Sequence, residues 1–218
     1  KANGGKPPNI VYILLDDLGY GEIGTPGLTP SRGYSTPNID ALAKQGVRFT
    51  QAYAAAPVCS PTRGALITGL APARLHITQH GKDGPSFCPK DRPVQPPAAE
   101  HVLPLKTVTL AERLKEAGYA TGFFGKWHLG HGPEHDPTGF DQWRVLPGQG
   151  HYHNPVMLEP RNDDRGHEVI ERGGYVTDLI TADSLRWLEM RDPDRPFALM
   201  CHHKAPHRTW EPAAEHFT

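Results

Sequence analysis

Apolar runs alternate along this chain with amphipathic stretches and with turns rich in glycine and proline. Residues 9–15, NIVYILL, and 197–201, FALMC, are continuous apolar runs, which is the pattern of strands buried on both faces. YATGFF (119–124) predicts a third strand, and the alternating pattern of residues 47–53 predicts a fourth. Because strands and helices alternate, the pattern predicts an α/β fold with a largely parallel central sheet flanked by helices.

Three segments carry helix start and stop signals. STPNIDALAKQG (35–46) has a threonine N-cap, a proline at the first helical position and a terminal glycine. TLAERLKEAG (109–118) begins with a T-x-x-E capping box and also ends in glycine. A longer amphipathic helix is predicted over 175–190, and a short helix is predicted to begin at Ser60-Pro61.

Composition predicts long loops and argues against two classes of partner. Glycine and proline number 23 each in 218 residues, which predicts ordered loops at 19–35, 71–104 and 128–174. The formal net charge of −1 argues against a nucleic acid or a membrane surface as partner, since both require a basic excess. No apolar run approaches the ~20 residues that a membrane-spanning helix needs.

The three cysteines define neither a compartment nor a zinc site. Cys59, Cys88 and Cys201 lack zinc-type spacing and cannot form a closed disulfide set, although a Cys88–Cys201 bridge stays open as an alternative. The first eight residues, KANGGKPP, are polar and lack the apolar core of a secretory signal peptide. We expect a secreted or periplasmic protein whose signal peptide has been removed.

Polar clusters follow three of the predicted strands. Asp16 and Asp17 follow the first strand, Lys126 and His128 follow the third, and HHKAPH (202–207) follows the last. Ligands of open α/β sheets bind beyond the carboxyl ends of the strands, so the three clusters should meet at one edge. Each cluster alone also fits a turn, a solvated loop or a fortuitous histidine surface; their coincidence favours a site.

The stretch PVCSPTRGALITG (57–69) places Cys59 at a helix start. Free backbone N–H groups and the positive end of the helix dipole favour an anion there, and Arg63 adds a planar cation. Such a position also lowers a thiol pKa, so a plain cysteine nucleophile remains possible. A small buried hydrophobe fits poorly beside serine, threonine and arginine.

The segment CSPTRGALITG resembles the C-x-P-x-R signature of the formylglycine-dependent (type I) sulfatases of the alkaline phosphatase superfamily. PNIVYILLDDLGYGEIG, STPNIDALAKQGVRFTQAYA and GYATGFFGKWHLG resemble that family's opening strand, its next helix and strand, and its lysine–histidine segment. The resemblance implies an alkaline-phosphatase-like sulfatase fold. It also implies that 1–218 is the N-terminal part of the catalytic domain, without its remainder and C-terminal subdomain.

The resemblance implies hydrolysis of sulfate monoesters by a formylglycine hydrate derived from Cys59 by a formylglycine-generating maturation enzyme. One hydroxyl of the hydrate would attack sulfur, and the other would allow sulfate to leave as the aldehyde re-forms. Asp16, Asp17 and the modified Cys59 would bind a divalent cation, usually Ca²⁺. The family completes this site with an Asp, an Asn or His and another lysine from further along the chain, and no matching pair follows a strand here.

The resemblance also assigns the groups around the sulfate. Arg63 would hold the hydrate, Lys126 would bind a sulfate oxygen, and His128 would act as the base. A histidine of 202–207 would protonate the leaving oxygen; we favour His207, with Lys204 as a further sulfate contact.

The substrate class is also implied by resemblance. HHKAPHRTW and GQGHYHNP resemble bacterial sulfatases of sulfated glycans, including N-acetylhexosamine-6-sulfate types, which favours a sulfated carbohydrate over a small aryl sulfate. Trp143, Tyr152 and His153 would supply sugar contacts or simply packing. A phosphonate or phosphate ester hydrolase of the same superfamily and a non-catalytic glycan-binding relic remain alternatives.

Overall fold

The computed structural model describes residues 5, 7–24, 34–80, 91–95, 99–130, 132–163 and 166–217. Cys88, one half of the possible disulfide, lies outside these residues.

Six strands form one sheet in the order β1-β6-β2-β3-β4-β5. The strands are β1 Ile10–Leu14, β2 Ala120–Lys126, β3 Gln142–Leu146, β4 Val156–Pro160, β5 His167–Glu171 and β6 Phe197–His202. Neighbours among β1, β6, β2 and β3 pair in parallel, whereas β4 and β5 are antiparallel additions. The predicted α/β fold with a largely parallel sheet is therefore confirmed.

Five α-helices are described: α1 Pro37–Gln45, α2 Cys59–Thr68, α3 Pro72–Leu75, α4 Leu110–Glu116 and α5 Val176–Met190. Helix α4 has the predicted capping box, because Thr109 Oγ1 accepts a hydrogen bond from Glu112 N at 3.2 Å and Glu112 Oε2 accepts one from Thr109 N at 2.7 Å. Helix α2 begins one residue earlier than predicted, at Cys59 itself. None of the described helices has the length and apolar character to cross a membrane.

Two apolar clusters lie on opposite faces of the sheet, and β2 separates them. Phe123 packs with residues of α2, α3 and α4, whereas the adjacent Phe124 packs with residues of α5. Successive side chains of a strand point to opposite faces, so a strand between two helical layers must be apolar on both. Every residue of β2 is buried accordingly.

Strands β2 and β6 approach each other closely where both end. Gly125 has φ +112°, and a Cβ atom at this position would lie 1.9 Å from the carbonyl oxygen of His202. Only glycine fits such a contact without moving the backbone. This approach brings Lys126 beside the residues that follow β6.

Three predictions made from the pattern are wrong. Strand β1 is not buried on both faces: Val11 is 52% and Ile13 59% exposed, because β1 is the edge strand of the described sheet and pairs only with β6. Residues 47–53 form no strand and are exposed. The segment 128–174 is not one long loop, since it contains β3, β4 and β5.

Candidate active site

The carboxyl ends of β1, β6 and β2 lie side by side at one edge of the sheet. Backbone hydrogen bonds join the segments that follow β1 and β6: His203 N donates to Leu14 O at 2.9 Å, and Asp16 N donates to Ala205 O at 3.1 Å. The structure thus brings together the three polar clusters that the sequence places after these strands.

Asp16 is a buried carboxylate shared by two cations. Its Oδ1 accepts from Arg63 Nη2 at 3.0 Å, and its Oδ2 accepts from Lys126 Nζ at 2.5 Å. Burial raises the pKa of Asp16, but the charges and hydrogen bonds of Arg63 and Lys126 outweigh burial and hold that pKa below its usual value. One negative charge therefore faces two positive charges, and the group carries a net positive charge.

Lys126 is fully buried. Besides Asp16, its ammonium group donates to Gln149 Oε1 at 2.5 Å. An ammonium group has three N–H donors, so one remains beyond these two described partners. Sequence reasoning did not single out Gln149; the only signal was its place in the turn after β3, which pairs with the strand that carries Lys126.

Arg63 extends from α2 across the ends of the strands. Its Nη1 donates to Lys126 O at 2.5 Å and lies 3.3 Å from His202 Nδ1. Burial lowers the pKa of His202 well below the usual value, and the Arg63 charge adds to this effect. A neutral His202 can accept a hydrogen bond from Arg63, which fixes the guanidinium group in place.

Cys59 is the first residue of α2 and is half-buried. Together with Asp16, Asp17 and Arg63 it lines a cavity of about 280 Å³. The preceding Val58 has an extended backbone, so the free N–H groups of the first helical turn lie next to Cys59. The cavity thus combines a thiol, a helix N-terminus, two carboxylates and a guanidinium group.

His128 lies next to the start of α2. Ser60 Oγ donates to His128 O at 3.0 Å and lies 3.3 Å from its Nδ1. Burial lowers the pKa of His128 to about 3, and the positive charges of Lys126 and Arg63 contribute. The imidazole is therefore neutral near pH 7, and one of its ring nitrogens carries no proton.

Asp17 follows Asp16 directly, and Lys204 and His207 lie in the segment whose Ala205 carbonyl oxygen accepts a hydrogen bond from Asp16 N. His207 Nε2 is 3.6 Å from Asp17 Oδ2. Lys204 is buried, and its Nζ lies 4.8 Å from the centre of the Tyr152 ring; burial and the charge of Lys126 lower its pKa. His203 instead faces Cys201 Sγ at 3.4 Å. Among the histidines of 202–207, His207 is the one that lies next to Asp17.

The described residues provide part of a site for a hard cation. Asp16 and Asp17 line one cavity with Cys59, and oxygen donors of this kind suit Ca²⁺. However, no group of three or more His, Cys, Asp or Glu side chains within the described ranges is arranged to hold a metal. The donor set thus fits Ca²⁺ in kind, and it supplies fewer than the roughly six to eight ligands that this ion takes.

The aromatic residues proposed as sugar contacts divide into two groups. Trp143 and Tyr152 are buried and belong to the two apolar clusters, so their rings are not exposed for contact with a sugar. His153 is exposed and tilted against Tyr175.

Comparison with known proteins identifies the family. The family model described as Sulfatase matches residues 8–216. The chain is 34% identical over 214 residues to an N-acetylglucosamine-6-O-sulfatase of Bacteroides thetaiotaomicron, covering 97% of this chain and 33% of that protein. It is 45% identical over 145 residues to an N-acetylgalactosamine-6-sulfatase of Sus scrofa, covering 65% of this chain and 26% of that protein.

A solved structure described as a complex with its substrate D-glucosamine-2-N,6-O-disulfate matches with a TM-score of 0.78 and 32% identity, over 97% of this chain and 37% of that one. The chain thus spans about a third, or less, of the length of these relatives. A family match over nearly all of its residues, and identity to named sulfatases along its length, show that this chain belongs to the sulfatase family.

Proposed function

We propose that this chain is the N-terminal part of the catalytic domain of an enzyme that hydrolyses sulfate monoesters of a sulfated carbohydrate and releases inorganic sulfate. The observation that carries the proposal is the cavity at the start of α2, where Cys59 meets Asp16, Asp17 and Arg63. The two cations beside Asp16 support it, because Arg63 and Lys126 would attract the negative charge of a sulfate ester.

Residue 59 is the proposed nucleophile, as formylglycine produced from Cys59 by a maturation enzyme. Its hydrate would supply two hydroxyl groups on one carbon, one to attack sulfur and one to release sulfate as the carbonyl re-forms. The helix N-terminus and Arg63 would stabilise negative charge on these oxygens. Neutral His128, held by Ser60 next to residue 59, would accept the proton of the second hydroxyl.

Two further groups would act on the sulfate ester. The N–H of Lys126 that remains beyond Asp16 and Gln149 would donate to a sulfate oxygen. His207 would protonate the leaving oxygen, with Lys204 as a second sulfate contact. Asp16, Asp17 and residue 59 would hold Ca²⁺, which when bound would polarise the sulfate and the hydrate.

The proposed substrate class is an N-acetylhexosamine 6-sulfate within a glycan. The names of the two relatives support this choice, since one is an N-acetylglucosamine-6-O-sulfatase and the other an N-acetylgalactosamine-6-sulfatase. We also propose that the protein is secreted or periplasmic, where sulfated glycans occur.

The proposal that more of the catalytic domain follows rests on exposed apolar surface. The edge strand β1 exposes Val11 and Ile13, and the segment after α1 exposes Val47, Phe49 and Tyr53. Such a surface suits contact with further protein. The remaining ligands of the cation would come from there.

The test uses the full-length protein produced together with a formylglycine-generating enzyme. We expect the peptide that contains residue 59 to have the mass of formylglycine, and the protein to release sulfate from N-acetylglucosamine 6-sulfate but little phosphate from the 6-phosphate. Cys59→Ala should abolish turnover, and treatment with a chelator should reduce it until Ca²⁺ is restored. An unmodified cysteine in a fully active protein would contradict the mechanism.

A further inference from the structure

Tyr152 lies beneath the segment that carries Lys204 and His207, in the connection between β3 and β4. Its side chain is buried, its hydroxyl donates to the carbonyl oxygen of His207, and its ring face lies 4.8 Å from Lys204 Nζ. One side chain therefore contacts both residues proposed for the leaving-group side of the sulfate. The phenol and the ring make these two contacts separately.

Tyr152 is itself held firmly. Its carbonyl oxygen accepts from Val176 N at 2.8 Å, at the first residue of α5. Its ring stacks on Tyr175 with a centroid separation of 6.0 Å and an angle of 14°. Burial raises the pKa of Tyr152 to about 12, with a contribution from Tyr175, so the hydroxyl remains protonated and remains a donor.

The ring of His207 is held from its other side. His207 Nδ1 lies 2.5 Å from the carbonyl oxygen of Arg208, and a carbonyl oxygen can only accept, so Nδ1 carries the hydrogen. This leaves Nε2 as the nitrogen that faces Asp17. The hydrogen bond from Tyr152 fixes the backbone of His207, and the hydrogen bond to Arg208 fixes its ring.

We propose that Tyr152 is a positioning residue for the leaving group, whose hydroxyl places His207 and whose ring places Lys204. The inference rests on the proposed function. In the step that it serves, a hydroxyl oxygen of the residue-59 hydrate forms a bond to sulfur while the bond between sulfur and the sugar oxygen breaks. The electron pair of the broken bond stays on the sugar oxygen, and a His207 ring protonated on both nitrogens delivers its Nε2 proton there. Tyr152 touches no reacting atom, and it acts only through the orientation of these two residues.

The two contacts predict different effects. A sugar alcohol is a poor leaving group and needs the proton, whereas 4-nitrophenol leaves readily as its anion. Loss of the Tyr152 hydroxyl should therefore slow sugar sulfate hydrolysis more than nitrophenyl sulfate hydrolysis. It should not change the binding of inorganic sulfate, which has no leaving group. Loss of the ring should weaken sulfate binding as well, because the ring holds the ammonium group of Lys204.

The experiment uses the full-length, matured enzyme and Tyr152→Phe, which keeps the ring. We expect kcat/KM for N-acetylglucosamine 6-sulfate to fall about 10-fold or more, and kcat/KM for 4-nitrophenyl sulfate to fall less than about 2-fold. The inhibition constant of inorganic sulfate should stay unchanged in Tyr152→Phe and rise several-fold in Tyr152→Leu. For each variant, both kcat/KM values are measured on the same preparation. A smaller folded fraction lowers the two values equally and leaves their ratio unchanged.

Tyr175→Phe is the matched control. Tyr175 donates through its hydroxyl to the carbonyl oxygen of Glu211 at 2.9 Å, four residues beyond His207, so this variant also removes one phenol-to-backbone bond from the same segment. Tyr175→Phe should lower kcat/KM for both substrates slightly and by the same factor. The inference is overturned if Tyr152→Phe lowers both kcat/KM values equally, or changes the sugar sulfate no more than Tyr175→Phe does. A matured wild-type enzyme that releases sulfate from neither ester would instead overturn the proposed function.

Discussion

Lys126 combines complete burial with a full positive charge, which is costly unless partners compensate for the loss of water. Asp16 compensates the charge, and Gln149 accepts one of the remaining N–H groups. Because Asp16 also binds Arg63, the carboxylate does not neutralise the pair of cations. A charged residue buried at such cost suggests a role beyond stability, and the proposed contact with a sulfate oxygen would provide that role.

Loss of the charge of Lys126, or of the proposed proton acceptor His128, should therefore lower the rate of sulfate ester hydrolysis. Lys126→Ala and His128→Ala should each lower kcat/KM for the sugar sulfate by about 10²-fold or more, since one removes transition-state charge stabilisation and the other a proton acceptor. Steady-state kinetics of the full-length, matured protein provide the measurement.

His76→Ala is the control for these variants, because His76 is exposed and follows α3 away from the cavity. The nearby His80 is unsuitable for this purpose, since its charge contributes to the lowered pKa of His128. Activity near the wild-type level in both Lys126→Ala and His128→Ala would show that the end of β2 and the segment after it take no part in the reaction.

At the scale of elements, the site depends on how closely β2 and β6 approach each other where both strands end. Gly125 allows the carbonyl oxygen of His202 to approach where a methyl group would otherwise lie, and the residues on both sides of this contact are Lys126 and His203. The close approach of the strand ends thus sets the distance between the polar residues that follow β2 and those that follow β6. Any residue larger than glycine at position 125 would push the two strand ends apart.

Gly125→Ala should therefore cost both stability and activity. Gly118→Ala is the matched control, because Gly118 also has a positive φ, +88°, but a Cβ atom there would have no neighbour within 4 Å. We expect about 1 kcal/mol from backbone strain alone at position 118, and roughly 1 to 3 kcal/mol more at position 125 from the clash. Urea unfolding and kcat/KM measure the two effects; equal losses in both variants would show that the strand contact is unimportant.

Element patterns explain most of what the sequence could predict. The capping box, the terminal glycines and the apolar runs are local signals, and α1, α4, α5, β2 and β6 lie where these signals predict. Strand β1 is present but exposed, because an apolar run does not reveal which neighbour covers it. Gln149 meets Lys126 only through the register of β2 with β3, 23 positions apart, and no local pattern contains that contact.

At the scale of the whole molecule, neutral histidines that are buried or half-buried link folding to pH. His128 and His202 have lowered pKa values in the folded protein, to about 3 in the case of His128, against about 6.5 in an unfolded chain. As pH falls below about 6.5, the unfolded chain takes up protons that the folded chain refuses, so stability decreases. Carboxylates with lowered pKa values, such as Asp16, act in the same direction only at lower pH.

The urea midpoint of the full-length protein should therefore be lower at pH 5 than at pH 7, and His128→Asn should reduce the difference. Some carboxylates also titrate in this range, since burial raises the pKa of Asp136, so the comparison with His128→Asn is what isolates the contribution of His128. A midpoint that does not change between them, or a difference that the variant leaves intact, would contradict a His128 that stays neutral in the folded protein.

The parallel pairing of β1 with β6 also has a consequence for the order of events on the ribosome. Asn9 Oδ1 accepts a hydrogen bond from Phe197 N, 188 positions later in the chain. At about 5 to 20 residues per second, roughly 10 to 40 seconds separate the synthesis of the two strands. Until β6 emerges, β1 lacks its partner strand and Asp16 lacks its backbone hydrogen bond to Ala205, so the segment that carries Asp16 beside residue 59 is not yet fixed. The nascent chain would thus leave Cys59 accessible to a maturation enzyme for most of the synthesis of this segment.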